Sequence, residues 1–126
     1  MRLLLDTHVV LWAVSEPERL SEPARKAFLA PRNTLYFSVV SAWEMEIKRS
    51  LGKLDVPSSF DEELARLRLE ELPVRLAHTR GLRELPDHHR DPFDRLLVAQ
   101  ARAESLVIVT ADPLVSRYPV RTMRAG

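Results

Sequence analysis

The sequence predicts an α/β sandwich in which helices cover both faces of a mostly parallel central sheet. Two apolar segments carry this prediction: residues 3–5, which are three consecutive leucines, and residues 106–109. Neither segment alternates apolar with polar residues, and unbroken apolar runs are typical of strands that are buried on both faces. Helical patterns separate the predicted strands, so we expect three layers, with the sheet between two layers of helices.

The composition is that of an ordinary globular chain. Its 126 residues are 45% hydrophobic and 29% charged, so we expect one domain with a single core over residues 1–126. No apolar run approaches the ~18 residues of a membrane span, and no signal-like segment begins the chain, so we expect a cytoplasmic protein that enters no membrane. The sequence has no cysteine, which excludes disulfides, thiolate metal sites and cysteine nucleophiles.

The charge balance does not identify a partner. The formal net charge is +1, and 16 of the 19 basic residues are arginines. Arginine binds phosphate in a bidentate manner, although genomic base composition explains this excess more simply. A local basic rim can surround an acidic pocket, so the net charge neither supports nor excludes a nucleic-acid substrate.

The first half of the chain predicts two strands and three helices. We expect a strand over 2–6, helices over 7–14 and 21–30, a strand over 34–39 and a helix over 41–51. Ser21 followed by Pro23 is a typical helix start, and Gly52 is a typical residue at a helix end. The second strand is predicted from its β-branched and aromatic residues.

The second half continues the alternation. We expect a charged helix over 59–69, a short strand over 72–74, helices over 76–85 and 91–101, a strand over 106–110 and an edge strand over 120–123. Asp91 followed by Pro92 is a clear helix start, whereas Gly81 weakens the prediction of the helix around it.

Four acidic residues fall at one edge of the predicted sheet. Asp6 and Asp112 directly follow buried strands, and Glu44 and Asp94 lie in the first turns of helices. The carboxyl ends of parallel strands meet at one edge, which is where open α/β folds bind ligands. We therefore expect the four carboxylates to converge there.

Each acid alone has a simpler interpretation. Asp6 could cap the helix that follows it, and Asp94 could interact favourably with the positive end of its helix. Ser41 and Glu44 fit a capping box, with Lys48 one turn later as an ion-pair partner. These alternatives stay open from the sequence.

Helical wheels nevertheless place Glu44 and Asp94 on apolar faces. Glu44 falls inside an apolar stripe and Glu46 falls opposite it; the stripe consists of Val40, Trp43, Ile47 and Leu51. We expect Trp43 to be in the core. An acid on a buried face loses hydration and needs a partner.

A set of converging carboxylates points to metal chemistry. Four such groups repel one another, and burial raises their pKa values, so a divalent cation would stabilise the set. Oxygen ligands without histidine or cysteine suit Mg²⁺ or Mn²⁺. Carboxylate clusters with one or two such ions catalyse displacement at phosphorus. The residues therefore predict metal-dependent hydrolysis of phosphodiesters.

Four segments stand out in order along the chain: residues 3–8, 41–44, 89–101 and 109–112. Together they resemble the motifs of PIN-domain nucleases, and more narrowly those of VapC-type toxins from bacterial toxin–antitoxin pairs. The most specific is Asp91-Pro92-Phe93-Asp94-Arg95. The resemblance covers essentially the whole chain. One departure is Pro113-Leu114-Val115, where many relatives carry an aromatic residue.

The resemblance implies a PIN-like fold and an Mg²⁺- or Mn²⁺-dependent endoribonuclease acting on single-stranded RNA. It also implies a homodimer that a cognate antitoxin holds inactive. The catalytic and metal-binding acids of the family match Asp6, Glu44, Asp94 and Asp112. Thr110 matches a hydroxyl that could orient the site, and Asp91 is an additional acid that could cap its helix, support a metal ligand or both.

Three arginines are candidates for contacting RNA phosphates at the rim of the site: Arg90, Arg95 and Arg117. A surface salt bridge is the simpler role for each of them.

Two other classes of function compete with the nuclease. A phosphotransfer receiver needs adjacent acids after its first strand and a lysine after a late strand, and the only lysines here are Lys26, Lys48 and Lys53. A non-catalytic binding module, whose acids would serve only as helix caps, stays open.

Overall fold

Five strands and six α-helices make up most of residues 1–88 and 91–126, which are the residues that this computed structural model describes. The strands are β1 (Arg2–Leu5), β2 (Thr34–Ser38), β3 (Glu70–Leu72), β4 (Val107–Thr110) and β5 (Thr122–Arg124). The helices are α1 (Thr7–Ser15), α2 (Glu22–Leu29), α3 (Val39–Ser50), α4 (Phe60–Arg66), α5 (Leu76–Gly81) and α6 (Pro92–Glu104). No helix in this described part of the chain has the length and apolarity needed to cross a membrane.

The five strands form one parallel sheet in the order β3-β2-β1-β4-β5. Strand β1 is central: Leu3 pairs with Leu35 of β2 on one side and with Val107 of β4 on the other. Every strand therefore points its carboxyl end toward the same edge. The predicted α/β fold class is confirmed, and the described sheet is parallel throughout.

The leucines of β1 show why the fold has three layers. Leu3, Leu4 and Leu5 are all fully buried, although successive side chains of a strand point to opposite faces. Leu3 and Leu5 pack in one core with residues of α1, α2 and α4, whereas Leu4 packs in a second core with residues of α6. Both faces of the sheet are covered, as the unbroken apolar run predicts.

Two element boundaries differ from the sequence prediction for identifiable reasons. Strand β3 ends at Leu72, because Pro73 has no N–H to continue the ladder. Helix α3 begins at Val39, two residues early, because the Ser38 hydroxyl accepts a hydrogen bond from the Val40 N–H and caps the helix. The proposed capping box of Ser41 and Glu44 is therefore wrong.

The buried face of α3 is rotated from the predicted stripe. Trp43 is 57% exposed, so its assignment to the core is wrong, and it packs edge-on against Phe93 with ring centroids 5.0 Å apart. Val40 belongs to one core and Met45 to the other. A helix that serves both cores buries the face between these two residues, and Glu44 lies on that face.

A buried polar network joins α5 and α6 to the end of β2. No pattern in the sequence indicated it. The Ser38 hydroxyl donates to Gln100 Oε1 at 2.5 Å. His78 Nδ1 accepts from the Arg75 N–H, so Nε2 carries the proton that is donated to Glu104 Oε2 at 2.8 Å. Buried polar groups with such partners are tolerated and fix a unique packing.

The central position of β1 leads to a stability prediction. We expect Leu4→Ala to lower the free energy of unfolding by about 2–5 kcal/mol, because it leaves a cavity in a closed core. Leu29→Ala is the matched control, since Leu29 is 82% exposed. Urea denaturation measures both. Equal effects of the two substitutions would contradict the assignment of β1 to the centre.

Candidate active site

A cavity of about 410 Å³ lies beside the carboxyl ends of β1 and β4. Its lining residues are Asp6, His8, Trp12, Glu44, Lys48, Asp91, Asp94, Ala111 and Asp112. The structure thus brings the four acids that were singled out from the sequence to one cavity, and Asp91 joins them. Their catalytic and metal-binding roles stay predictions at this point.

Asp6 is held at the floor of this cavity by its neighbouring strand. Its backbone N–H donates to the Val109 carbonyl at 3.0 Å, and its Oδ2 accepts from the Thr110 hydroxyl at 2.6 Å. Asp6 occupies the N-cap position of α1, but its side chain makes no capping hydrogen bond. The short hydrogen bond that orients the Asp6 carboxylate is therefore the one from Thr110.

Burial is the main influence on the ionisation of Asp6. Loss of hydration raises the pKa of the Asp6 carboxyl above its ordinary value, and the nearby Glu44 charge raises it further. The hydrogen bond from Thr110 and the proximity of His8 lower it without cancelling the effect of burial. An ionised Asp6 is consequently an unfavourable group in the folded protein.

Thr110 connects two of the acids. Its hydroxyl donates to Asp6 and accepts from the Asp112 N–H at 3.0 Å. Asp112 Oδ1 in turn accepts from the Leu114 N–H at 2.9 Å, which orders the turn after β4. Thr110 is buried, so this one side chain couples the ends of two adjacent strands.

Glu44 is buried in the cavity wall and has a hydrogen-bond donor on each oxygen. The Thr7 hydroxyl donates to Oε1 at 2.8 Å, and Lys48 Nζ lies 2.6 Å from Oε2. This hydrogen bond raises the pKa of the Lys48 ammonium. The expectation that a buried acid at this position needs a partner is therefore met by Thr7 and Lys48.

Asp91 caps helix α6 and at the same time lines the cavity. Its Oδ1 accepts from the N–H groups of Phe93 and Asp94, at 2.9 and 3.3 Å. The cap fixes the first turn of α6 and with it the position of Asp94. Of the roles left open for Asp91, the capping role is present in the structure.

Two of the three arginine candidates, Arg95 and Arg117, lie outside the cavity. Arg95 donates to the Pro86 carbonyl at 2.9 Å and to the Tyr118 hydroxyl at 3.2 Å, and it is absent from the cavity lining. Arg117 is exposed in the short 3-10 turn Val115–Arg117 and is also absent from the lining. Arg90 falls outside the described residues. A phosphate-binding role for any of the three stays a prediction.

Carboxylate oxygens are the ligands that a hard divalent cation prefers, but in this structure the described acids of the cavity are not close enough together to hold one. Within residues 1–88 and 91–126, no three acidic or histidine side chains are grouped closely enough to hold one ion. Hydrogen bonds within the protein hold the carboxylates of Glu44, Asp91 and Asp112. Metal binding would therefore require rotations of these side chains, and it stays a prediction.

Besides Ala111, three residues that line the cavity were not named as site residues from the sequence: His8, Trp12 and Lys48. Lys48 was considered only as an ion-pair partner of Glu44. Helical spacing could have found all three, because His8 is in the first turn after Asp6, Trp12 follows His8 by one turn, and Lys48 follows Glu44 by one turn.

Comparison with known proteins identifies the family. The model of the PIN domain family matches residues 3–120, which is nearly the whole chain. The chain therefore belongs to the PIN domain family. No curated protein matches it by sequence.

Solved structures share the fold over almost their full length. VapBC2 from Rickettsia felis, bound to a DNA fragment from its promoter, has a matching chain with a TM-score of 0.78 and 20% identity, covering 100% of both chains. DNA-bound VapBC from Salmonella typhimurium gives a TM-score of 0.68 at 19% identity, covering 98% of this chain and 97% of that one. FitAcB from Neisseria gonorrhoeae gives a TM-score of 0.55 at 17% identity, covering 97% of this chain and 96% of that one. At such identities the likeness shows the fold alone.

The raised pKa of Asp6 leads to a prediction about stability and pH. The folded state holds the Asp6 proton more tightly than the unfolded state, so stability falls as pH rises from the ordinary value of 3.8 through the folded pKa. Asn at this position cannot ionise and can still accept from Thr110. We therefore expect Asp6→Asn to be more stable than the wild type at neutral pH in a chelating buffer.

Urea midpoints across a pH series measure the difference. The advantage of Asp6→Asn should vanish at pH values below 3.8, where the wild-type carboxyl is protonated. Asp55→Asn is the control, because Asp55 is exposed. An Asp6→Asn variant that is no more stable than the wild type at neutral pH would refute the assigned effect of burial.

Proposed function

We propose that this PIN-domain protein is a divalent-metal-dependent endoribonuclease that hydrolyses phosphodiester bonds in single-stranded RNA. The observation that carries the proposal is the cavity beside β1 and β4, where five carboxylates from four separate segments line a common space. Structural acids are usually scattered over a surface, where each one is hydrated. Gathering five of them around one cavity favours a compensating cation, and carboxylate oxygens prefer Mg²⁺ or Mn²⁺.

In this proposal Asp6 and Asp94 are the principal ligands, and Glu44 and Asp112 complete the set directly or through water. A bound Mg²⁺ or Mn²⁺ supplies Lewis acidity toward the phosphate and lowers the pKa of a bound water. Thr110 holds the Asp6 carboxylate in a single orientation, and Thr7 does the same for Glu44. The cap formed by Asp91 keeps Asp94 at the cavity.

We further propose that the protein is the toxin of a toxin–antitoxin pair and acts in the cytoplasm. The matched structures are VapBC complexes, which supports a cognate antitoxin as a partner of this chain. An RNA substrate places the activity in the compartment where RNA is made and translated. An inhibitor is also consistent with such a site, since uncontrolled RNA cleavage is harmful to the cell.

A homodimer is the assembly that we propose for the toxin. Large apolar side chains are exposed where α3 follows β2 and where the chain leaves β3: Val39, Trp43, Val74 and Leu76. These two strands are neighbours in the sheet. Exposed aromatic and aliphatic groups of this kind are typical of protein interfaces.

One observation favours a non-catalytic binding module as the second candidate. Hydrogen bonds already hold several of the acids, and no three described acids or histidines are grouped as a metal site. The experiment that follows separates this candidate from the nuclease.

We expect the purified protein to cleave single-stranded RNA when Mn²⁺ is added and not in a chelating buffer. Asp94→Asn should reduce the cleavage rate about 100-fold or more, the usual effect of removing one electrostatic stabiliser of a transition state. Asp55→Asn should retain the wild-type rate because Asp55 is exposed in a loop. Mapping the cut ends in total RNA measures both activity and preference.

Thermal melting gives an independent reading of the metal site. Mn²⁺ at about 100 times its Kd should stabilise the wild type by about 2.7 kcal/mol, and the Asp6→Asn and Asp94→Asn variants should not respond. If both variants gain as much stability as the wild type, the metal site is misassigned. A wild type that responds to Mn²⁺ but cleaves no RNA would favour the binding module.

The proposed dimer is tested at Trp43. We expect Trp43→Asp to weaken the dimer about 30-fold, which corresponds to about 2 kcal/mol for an aromatic residue at the centre of an interface. Leu29→Asp is the control, since Leu29 is also apolar and exposed but lies on α2. Sedimentation equilibrium measures the association constants. A wild type that is monomeric at micromolar concentration would rule out the dimer.

A further inference from the structure

Among the described residues that line the acidic cavity, Lys48 is the one lysine or arginine. Its ammonium lies 2.6 Å from Glu44 Oε2 and also interacts with the charges of Asp91 and Asp94. The side chain is 38% exposed, so Lys48 is only partly buried where it lines the cavity. Lys48 therefore contacts both the acids of the cavity and the solvent.

The ion pair of Lys48 and Glu44 differs from an ordinary pair on a helix surface. Lys26 and Glu22 have the same spacing of four residues, but they are 4.0 Å apart and their side chains are 77% and 74% exposed. The Glu44 side chain is 4% exposed and belongs to the cavity wall. A surface pair contributes about 0.3–0.5 kcal/mol and has no further role, whereas Lys48 neutralises an acid of the site itself.

The hydrogen bonds of Glu44 show what a cation would change. Oε1 accepts from Thr7 and Oε2 accepts from Lys48, so both oxygens already have donors within the protein. A divalent cation that used Oε2 would take the place of the ammonium. Lysine carries a compact charge on a flexible stem, so its ammonium can change partners without movement of the backbone.

We propose that Lys48 exchanges between two anions, Glu44 Oε2 and a phosphate group of the bound RNA. With a divalent cation held by Glu44, the Lys48 ammonium would be free to contact the RNA backbone beside the cavity. This inference rests on the proposed nuclease function and adds a residue that binds substrate. It also explains how a strongly acidic cavity can hold the phosphate backbone of RNA.

The test compares metal binding with nucleic-acid binding in Lys48→Gln. Removing the ammonium removes the competitor for Oε2, so Mn²⁺ should bind several-fold more tightly in titration calorimetry. The probe for the second measurement is a single-stranded deoxyoligonucleotide, which offers the same phosphates and is checked for integrity on a gel. In Mn²⁺, the slope of log affinity against log salt should decrease by about 0.7, the value for one lost phosphate contact.

Two matched variants complete the design. Lys48→Arg keeps the charge and should keep most of the wild-type salt slope. Lys26→Gln removes a lysine from the exposed pair on α2 and should leave both measurements unchanged. Circular dichroism in a chelating buffer verifies that every variant is folded.

Tighter Mn²⁺ binding together with a smaller salt slope for the oligonucleotide is the result that supports the exchange of Lys48. Unchanged metal and oligonucleotide binding in Lys48→Gln would make the residue an ordinary ion-pair partner, and a loss of both would mean that it only holds Glu44 in place. Tighter metal binding with an unchanged salt slope would mean that it never reaches the nucleic acid. Each of these three other results overturns the inference. The proposed function fails separately, if wild type binds no Mn²⁺ at all.

Discussion

The burial of the Asp6 carboxyl beside other acids is the constraint on which the site depends. Asp6 loses its hydration at the end of the central strand, and Glu44 lies close enough to raise its pKa further. The chain offsets this cost locally with a hydroxyl for each of these acids and with the Lys48 ammonium for Glu44. Such compensation is incomplete, as the raised pKa of Asp6 indicates. A site of this kind gains most from a divalent cation, which interacts with several carboxylates at once.

The parallel sheet creates this accumulation of charge. Because β1 and β4 are adjacent and point in the same direction, Asp6 and Asp112 emerge side by side, and Thr110 joins them. Helix α3 begins immediately after β2 and carries Glu44 to the same edge. The two apolar cores on either side fix these elements, so the backbone keeps the acids at one edge of the sheet.

Much of this arrangement could be predicted from the sequence, because unbroken apolar runs report strands buried on both faces. Leu3–Leu5 and the acid after them indicated the central strand and the edge of the sheet where the acids lie. Trp43 was misplaced because a helical wheel assumes one buried face, whereas α3 packs against two cores. No local pattern indicated that His78 and Gln100 are buried, since their burial depends on partners distant in the sequence. Lys48 was missed because the helical spacing that places it beside Glu44 is equally common in surface ion pairs.

Diffraction at the manganese absorption edge, from crystals grown with Mn²⁺, would test the site most directly. An anomalous peak between the carboxylates of Asp6 and Asp94, with the Lys48 ammonium turned away from Glu44, is the expected result. A saturating Mn²⁺ concentration that leaves no anomalous peak in the cavity would contradict a metal-dependent nuclease, whatever the family likeness of the fold.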